Sequence, residues 1–342
     1  YPTIISKTMI KKFSLGMIIM LLAGCNPQVA TSFWRIGTAA DSTKKGYTII
    51  HAEGKTRHCY PVKEWKADPA IDTYHQMHHH GVAVESDKMA YRIYFDKKQT
   101  IDPYCKRVPQ LELANSYWYP NDSLLAAHYG DDILRVSGTV GVGSVKYWNG
   151  KKHVHIEPVA ERSQRIVKQS RKSATIEVAV EDWEIEGKIV DMDVHYTMQG
   201  GYRDMRCDVY LSEQVEGLCT GVQMIPNNGK APRSLFGSHD TIIVVPNGTI
   251  LASWGTDWPV NDSTKFAKET VGLAVFIPRE NAGTPARDKR NNLCLLRQAK
   301  AKEGYSTHFY LTCVGATKED HPIASDAREW YAYLRKWTIR LK

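Results

Sequence analysis

The densest group of chemically able side chains is Tyr74-His75-Gln76-Met77-His78-His79-His80-Gly81, which sets four imidazoles within six residues. Imidazole binds metals, moves protons near neutral pH and hydrogen-bonds sugars, so the run reads as metal ligands, as substrate or catalytic histidines, or as a solvated loop. Taken as a strand, it places alternate residues on one face, so His78 and His80 could chelate together while His79 points away. No H-E-x-x-H pattern and no carboxylate third ligand lies within it. His153, His155 and Glu157 share one strand face and could supply a ligand from elsewhere.

The following segment, Val82 to Tyr94, carries Glu85, Arg92 and Tyr94 as polar groups in an otherwise apolar strand pair. A planar guanidinium matches two carboxylate oxygens, so Arg92 is a candidate for gripping an acid; a salt bridge to Glu85 or Asp87 is the alternative. His128 precedes Asp131, an imidazole with a potential orienting carboxylate. Gly138-Thr139-Val140-Gly141-Val142-Gly143 has the glycines of a dinucleotide loop, but Ser144 to Trp148 reads as strand where that motif needs a helix. Close backbone approach or a bulge beside a site explains these glycines better.

Strands must position these groups. Tyr91, Ile93 and Phe95 alternate with Arg92 and Tyr94, and Ile176, Val178 and Val180 alternate with Thr175, Glu177 and Ala179. Val190 to Tyr196 and Cys207 to Leu211 repeat the period of two, and further strands are expected near 271–277, 293–298 and 305–313. Trp330, Leu334, Trp337 and Leu341 instead fall on one helical stripe, with Ser325 or Asp326 as its cap. Many strands without a βαβ rhythm predict an all-β fold, a large antiparallel β-sandwich with a C-terminal amphipathic helix. The absence of a Pro/Ser/Gly-rich linker after about residue 45 predicts one domain over 46–342.

Composition narrows the function classes. The 342 residues are 42% hydrophobic and 24% charged with a net charge of +8, an ordinary globular profile that attracts anions. No basic block is long enough to require nucleic acid. Nine Trp and eighteen Tyr against seven Phe suit surfaces that grip sugars as well as a β core. No run of eighteen apolar residues is present, which excludes a spanning helix. From Met9, however, Lys11 and Lys12 precede an apolar stretch, Phe13 to Gly24, that ends in Leu22-Ala23-Gly24-Cys25. That pattern reads as a lipoprotein signal with its lipobox, and the preceding Tyr1 to Thr8 reads as upstream translation. Acylated Cys25 is then the lipid anchor, residues 1–24 are removed, 25–45 form a tether, and the chain sits in the cell envelope, periplasmic or outer-membrane. Of the remaining cysteines, Cys59, Cys105, Cys207, Cys219, Cys294 and Cys313, none forms a C-x-x-C pair, and buried thiols with one bridge at most are expected.

Taken together, these segments resemble the bacterial domain-of-unknown-function family 4861. The likeness rests on Glu85-Ser86-Asp87 through Ala90-Tyr91-Arg92, Tyr104 to Leu113, His128-Tyr129-Gly130-Asp131-Asp132 with the glycine run, Thr220-Gly221-Val222, and Glu329 to Leu334. It covers roughly residues 70 to 342, in order. Cys105 departs from the small residue expected there. The resemblance implies a mutarotase-like β-sandwich from a polysaccharide-utilisation system, and an oligosaccharide dehydratase of the kind acting on ulvan fragments. Such an enzyme removes water from a non-reducing-end glucuronate or iduronate and leaves a 4,5-unsaturated uronate.

That elimination needs a cation on the substrate carboxylate, a base for the C5 proton and an acid for the departing 4-hydroxyl. Arg92 is the first candidate cation and Lys106 the second. His80 and His128 are the candidate imidazoles, with Tyr91 or Tyr94 as alternative acid. His78, His79, Glu85 and Asp131 are expected substrate contacts. The expected partners are an acidic oligosaccharide and a membrane, with no cofactor required and a divalent cation left open. Other readings are a polysaccharide lyase or glycoside hydrolase on the same scaffold, or a glycan-binding lipoprotein without catalysis.

Overall fold

The computed structural model describes residues 27–52, 55–67, 73–225, 240–260, 263–264 and 266–341. Cys25 and the signal segment expected before it lie outside the described residues.

One layer is a ten-stranded antiparallel sheet whose centre is built from the long strands Ser173–Ile185, Lys188–Gln199, Met205–Leu211, Tyr305–Gly315 and Glu269–Pro278. Its inner face is the predicted alternation made real. Ile176 pairs with Tyr196, Tyr196 with Cys207 and Cys207 with Phe309, and all four are buried. Each residue in between faces outward, so the register aligns Glu177, His195, Asp208 and His308 in a polar row. Acidic and imidazole groups alternate along that row, and His195 pairs with Glu177 at 2.8 Å.

The opposing layer consists of two five-stranded sheets. One runs Val29–Ser32, Gly81–Ser86, Met89–Tyr94, Ile101–Cys105 and Asp131–Asp132. The other runs His153–Val154, Lys146–Trp148, Leu218–Gln223, Asn291–Leu296 and Ala282–Arg287. The glycine run stitches them together: Gly141 bridges Ile101, and Val142 bridges Val222. Gly141 has φ +54, and an added Cβ would stand 2.2 Å from the Ile101 carbonyl oxygen, so the seam requires glycine here. Apolar side chains of these sheets and the ten-stranded sheet fuse into one core, including Val82, Val84, Tyr91, Ile93, Val178, Val194, Leu273 and Phe309. The C-terminal helix, Ala327–Arg340, starts at Asp326, whose side chain accepts from Glu329 N at 2.8 Å. It buries Trp330, Leu334 and Trp337 against Ile250, Trp254, Ala274, Phe276 and Val314 on the outside of the ten-stranded sheet.

Two expectations are corrected. The segment 25–45 is not a tether beyond its first residues. Val29–Ser32 pairs with Gly81–Ser86, and Trp34–Gly37 joins a three-stranded sheet with Lys55–Pro61 and Thr48–Ala52. The histidine run is not a strand. It forms two 3-10 turns, Thr73–His75 and His78–His80, with left-handed backbone at His79 (φ 59) and His80 (φ 62). The six described cysteines are all buried free thiols.

Candidate functional site

Alternation decides the site. In Met89–Tyr94, Tyr91 and Ile93 point into the inter-sheet core, so Arg92 and Tyr94 point to the other face. Register places Ala83, Arg92 and Asp102 in one row across three strands, and Tyr104 beside Asp132. Ala83 and Ala90 are small enough to leave room on that face for the guanidinium and the Tyr104 ring.

Arg92 is 1% exposed, and both of its terminal nitrogens are engaged. Its Nη2 donates to Asp102 Oδ2 at 2.7 Å and to Asp132 Oδ2 at 2.6 Å, and its Nη1 donates to the Trp118 carbonyl at 2.8 Å. Tyr94 donates its hydroxyl to the same Asp102 Oδ2 at 2.6 Å. Two carboxylates thus share one guanidinium. Burial raises Asp102 to about 7 against the opposing pull of Arg92, and burial likewise raises Asp132. Burial, reinforced by Asp102, pushes the Tyr94 phenol well up, so it stays protonated at neutral pH.

The histidine turn packs against this network as a continuous ring stack. His79 stacks on His78 (centroids 4.1 Å apart), and His78 on Tyr117 (5.0 Å). Tyr117 lies 4.7 Å from Trp118, Trp118 stacks on His80 (4.4 Å), and His80 on Tyr74 (3.7 Å). Arg57 caps the Tyr117 and Trp118 rings from the three-stranded sheet. Left-handed backbone at two histidines is uncommon and costs energy, and the stack is what holds it. His80 Nδ1 donates to the Tyr74 carbonyl at 2.8 Å, which leaves Nε2 as the acceptor nitrogen. Burial lowers His78 to about 3 and His80 to about 2, so both rings are neutral. Among the described residues, no group of three or more His, Cys, Asp or Glu is arranged to hold a metal ion.

A cleft of about 580 Å³ opens beside Tyr94 where the two five-stranded sheets meet. Tyr74, Tyr94 and Tyr119 form its aromatic wall. Asp132 and Asp257 supply carboxylates, and Lys98, Arg135, Lys289 and Arg290 supply four cations. Lys98 Nζ rests 4.8 Å from the Tyr74 ring centre, and the buried Lys146 donates to the Lys98 carbonyl from behind. Arg135 Nη2 lies 3.7 Å from Asp257 Oδ2. Burial, helped by the nearby Arg135 charge and opposed by Asp257 and Asp288, lowers Arg290, which lines the same cleft as Arg135. Such a wall favours an anion.

The structure brings some sequence candidates to this place and takes others away. Tyr94 lines the cleft, and His80 stands one ring behind the wall. Arg92 reaches Tyr94 only through Asp102, so it is a buried organiser of the wall rather than a free carboxylate grip. Tyr91 donates to the Arg203 carbonyl at 2.6 Å inside the core. Lys106 and Glu85 pair with each other, each side chain 2% exposed, and Glu85 also accepts from Glu112 N and Leu113 N. Asp131 is buried and accepts from Asp132 N. His78 and His79 are core members of the stack. His128 is 61% exposed beside Asp320 and joins no cleft residue. Sequence reasoning missed Asp102, Tyr119, Arg135 and Arg290. Asp132 stands in the sequence beside the candidate Asp131, but its pairing opposite Tyr104 is long-range and leaves no local signal.

The fold and site define a class: a large two-layer β protein with a cationic, tyrosine-walled cleft at the seam of its split layer. The chain belongs to the family described as Domain of unknown function (DUF4861), which matches residues 30–342. No curated protein matches it.

Proposed function

We propose that the cleft removes water from the non-reducing-end uronic acid of an acidic oligosaccharide such as an ulvan fragment, leaving a 4,5-unsaturated uronate. The observation that carries this reading is the juxtaposition, in one cleft, of a proton-bearing Tyr94, a base-strengthened Asp132 and four cations. Arg135, Arg290, Lys98 and Lys289 receive the carboxylate and stabilise the enolate that develops as C5 loses its proton. Asp132, whose basicity burial raises, takes that proton. Tyr94 gives its proton to the departing 4-hydroxyl, which leaves as water, and the C4–C5 double bond forms from the C5–H electron pair. Arg92 and Asp102 hold acid and base in one network, and because the guanidinium keeps its protons the two reset through the water of the cleft. Tyr74 and Tyr119 offer ring faces to the sugar. A lipid anchor at Cys25 would keep such an enzyme at the envelope, where oligosaccharides arrive.

A glycoside hydrolase is the second reading, because Asp132 and Asp257 both line the cleft and hydrolysis uses two carboxylates. Incubation with uronate-terminated oligosaccharides, followed by mass and by the ultraviolet absorbance of the unsaturated acid, separates the readings. Loss of one water with the chain length kept supports dehydration. Two shorter products mean a hydrolase or lyase, and bound but unchanged substrate means a glycan-binding protein.

A further inference from the structure

The cationic wall comes from two arms far apart in sequence, Arg135 with Ser137 on one and Lys289 with Arg290 on the other. Behind them lies a ring that the proposed chemistry does not use. His153 hydrogen-bonds Asp288 Oδ2 through Nδ1 at 2.5 Å and the Gly138 carbonyl through Nε2 at 2.9 Å. Its side chain is 13% exposed and that of Asp288 is 7% exposed. Asp288 Oδ1 accepts from Arg290 N and Asn291 N at 2.9 Å each, which fixes the turn carrying Arg290. Asn291 Oδ1 accepts from Val140 N at 3.0 Å, a second tie between the same arms. On the far side, Gln223 Nε2 donates to the Arg135 carbonyl at 3.2 Å, and Thr139 Oγ1 donates to Gln223 Oε1 at 2.5 Å. Gln223, Thr139 and Asn291 are all buried. One imidazole therefore spans the gap, beside the Asn291–Val140 tie, between the arm that carries Arg135 and the arm that carries Arg290.

We propose that His153 is a positioning residue, a clasp that holds Arg135 and Arg290 at the spacing needed to receive one anionic group. It touches no substrate. It acts through Gly138 on one arm and through Asp288 on the other, and so sets the charge selectivity of the cleft. This role rests on the reading of the cleft as a uronate site, whereas the clasp itself is tested without any ligand.

The test uses the full chain with His153→Ala and His153→Gln. Amide hydrogen exchange is followed at Val140, on one arm, and at Arg290 and Asn291, on the other. Affinities for D-glucuronate and for neutral D-glucose are measured by calorimetry or by chemical-shift titration. In His153→Ala, the amides of both arms exchange faster together while the melting temperature of the whole molecule is nearly kept. The glucuronate affinity falls about tenfold, equivalent to ~1.4 kcal/mol, with glucose unchanged. His153→Gln, which keeps one reaching hydrogen-bonding group, recovers part of both effects. Unchanged exchange in either arm overturns the clasp, and so does an equal loss of affinity for both sugars. If both arms loosen but the wild-type protein shows no preference for glucuronate over glucose, the clasp stands and the uronate reading falls.

Discussion

At the scale of single residues, neighbours in the chain have opposite fates. Tyr91, Arg92 and Tyr94 lie within four positions, yet Tyr91 is core, Arg92 is buried scaffold and only Tyr94 meets the cleft. Alternation was legible in the sequence and separates Tyr91 from the other two. What it could not tell is which face carries the cleft, because both faces of this strand are buried. Tyr94→Phe removes the proton donor and leaves the ring, so we expect kcat to drop by about 10²-fold or more with KM little changed, measured by steady-state kinetics on uronate oligosaccharides. Arg92→Met strands two buried carboxylates. Denaturant unfolding at pH 7 should show a loss of about 3–5 kcal/mol. The loss should shrink at pH 5, because burial raises both stranded acids and so favours their neutral forms as pH falls. A cost that is the same at both pH values would mean that the carboxylates are not the cause.

Among the elements, the histidine turn departs furthest from its sequence reading. Four imidazoles read as metal ligands, as substrate or catalytic groups or as a solvated loop because type and spacing are visible, whereas the ring stack is assembled from partners 38 and 39 residues away, Trp118 and Tyr117, that no local pattern announces. The strand edge that seats the turn is equally hidden. Gly81 opens the strand after the turn, and a Cβ there would stand 2.0 Å from the Ile93 carbonyl oxygen and 3.0 Å from Gln164 Oε1. Gly81→Ala should therefore part the turn from its neighbouring strand and cost about 1–3 kcal/mol, read by thermal unfolding. An unshifted melting temperature would show that the turn is not seated by this contact. The C-terminal helix is the opposite case. Its stripe of Trp330, Leu334 and Trp337 is periodic, its cap is local, and the sequence places it within a residue or two because no distant partner decides it.

For the whole molecule, the all-β class and the amphipathic helix were readable because each depends on periodicity. The split of one layer into two sheets, and hence the cleft at the seam, depends on which strands pair, and Gly141 and Val142 make that junction through long-range bridges. Titration behaviour is likewise a property of the whole. Burial lifts Asp102 and Glu112 to about 7 and Asp131 to about 6. Folded-state values above the unfolded ones give stability that is full below pH ~4 and is lost as pH rises through 6 to 7. Burial lowers His78 to about 3 and His80 to about 2, the reverse case, so their stability is present above pH ~6.5 and is lost as pH falls toward those values. The two sets oppose each other between pH ~6 and ~4.5. Below pH ~4 the carboxylates are protonated whether folded or not, and only the histidine loss continues. Unfolding midpoints at pH 6, 5 and 3 should be near one another for the first two and far lower for the third. A steady fall from pH 6 downward would show that the raised carboxylates do not offset the histidine loss.

The six described thiols have a practical consequence at this same scale. All are buried, and desolvation raises Cys59 and Cys294 to about 11 and Cys105 and Cys207 well beyond the ordinary range. A folded molecule therefore offers an alkylating reagent almost no thiolate, and an unfolded one offers it several. The chain carries its own stopwatch: the rate at which iodoacetamide labels these positions in native buffer reports how often the sandwich opens. Mass spectra should show unlabelled and fully labelled molecules with little between them if the two layers come apart as one unit. A ladder of partly labelled species would instead reveal which layer yields first.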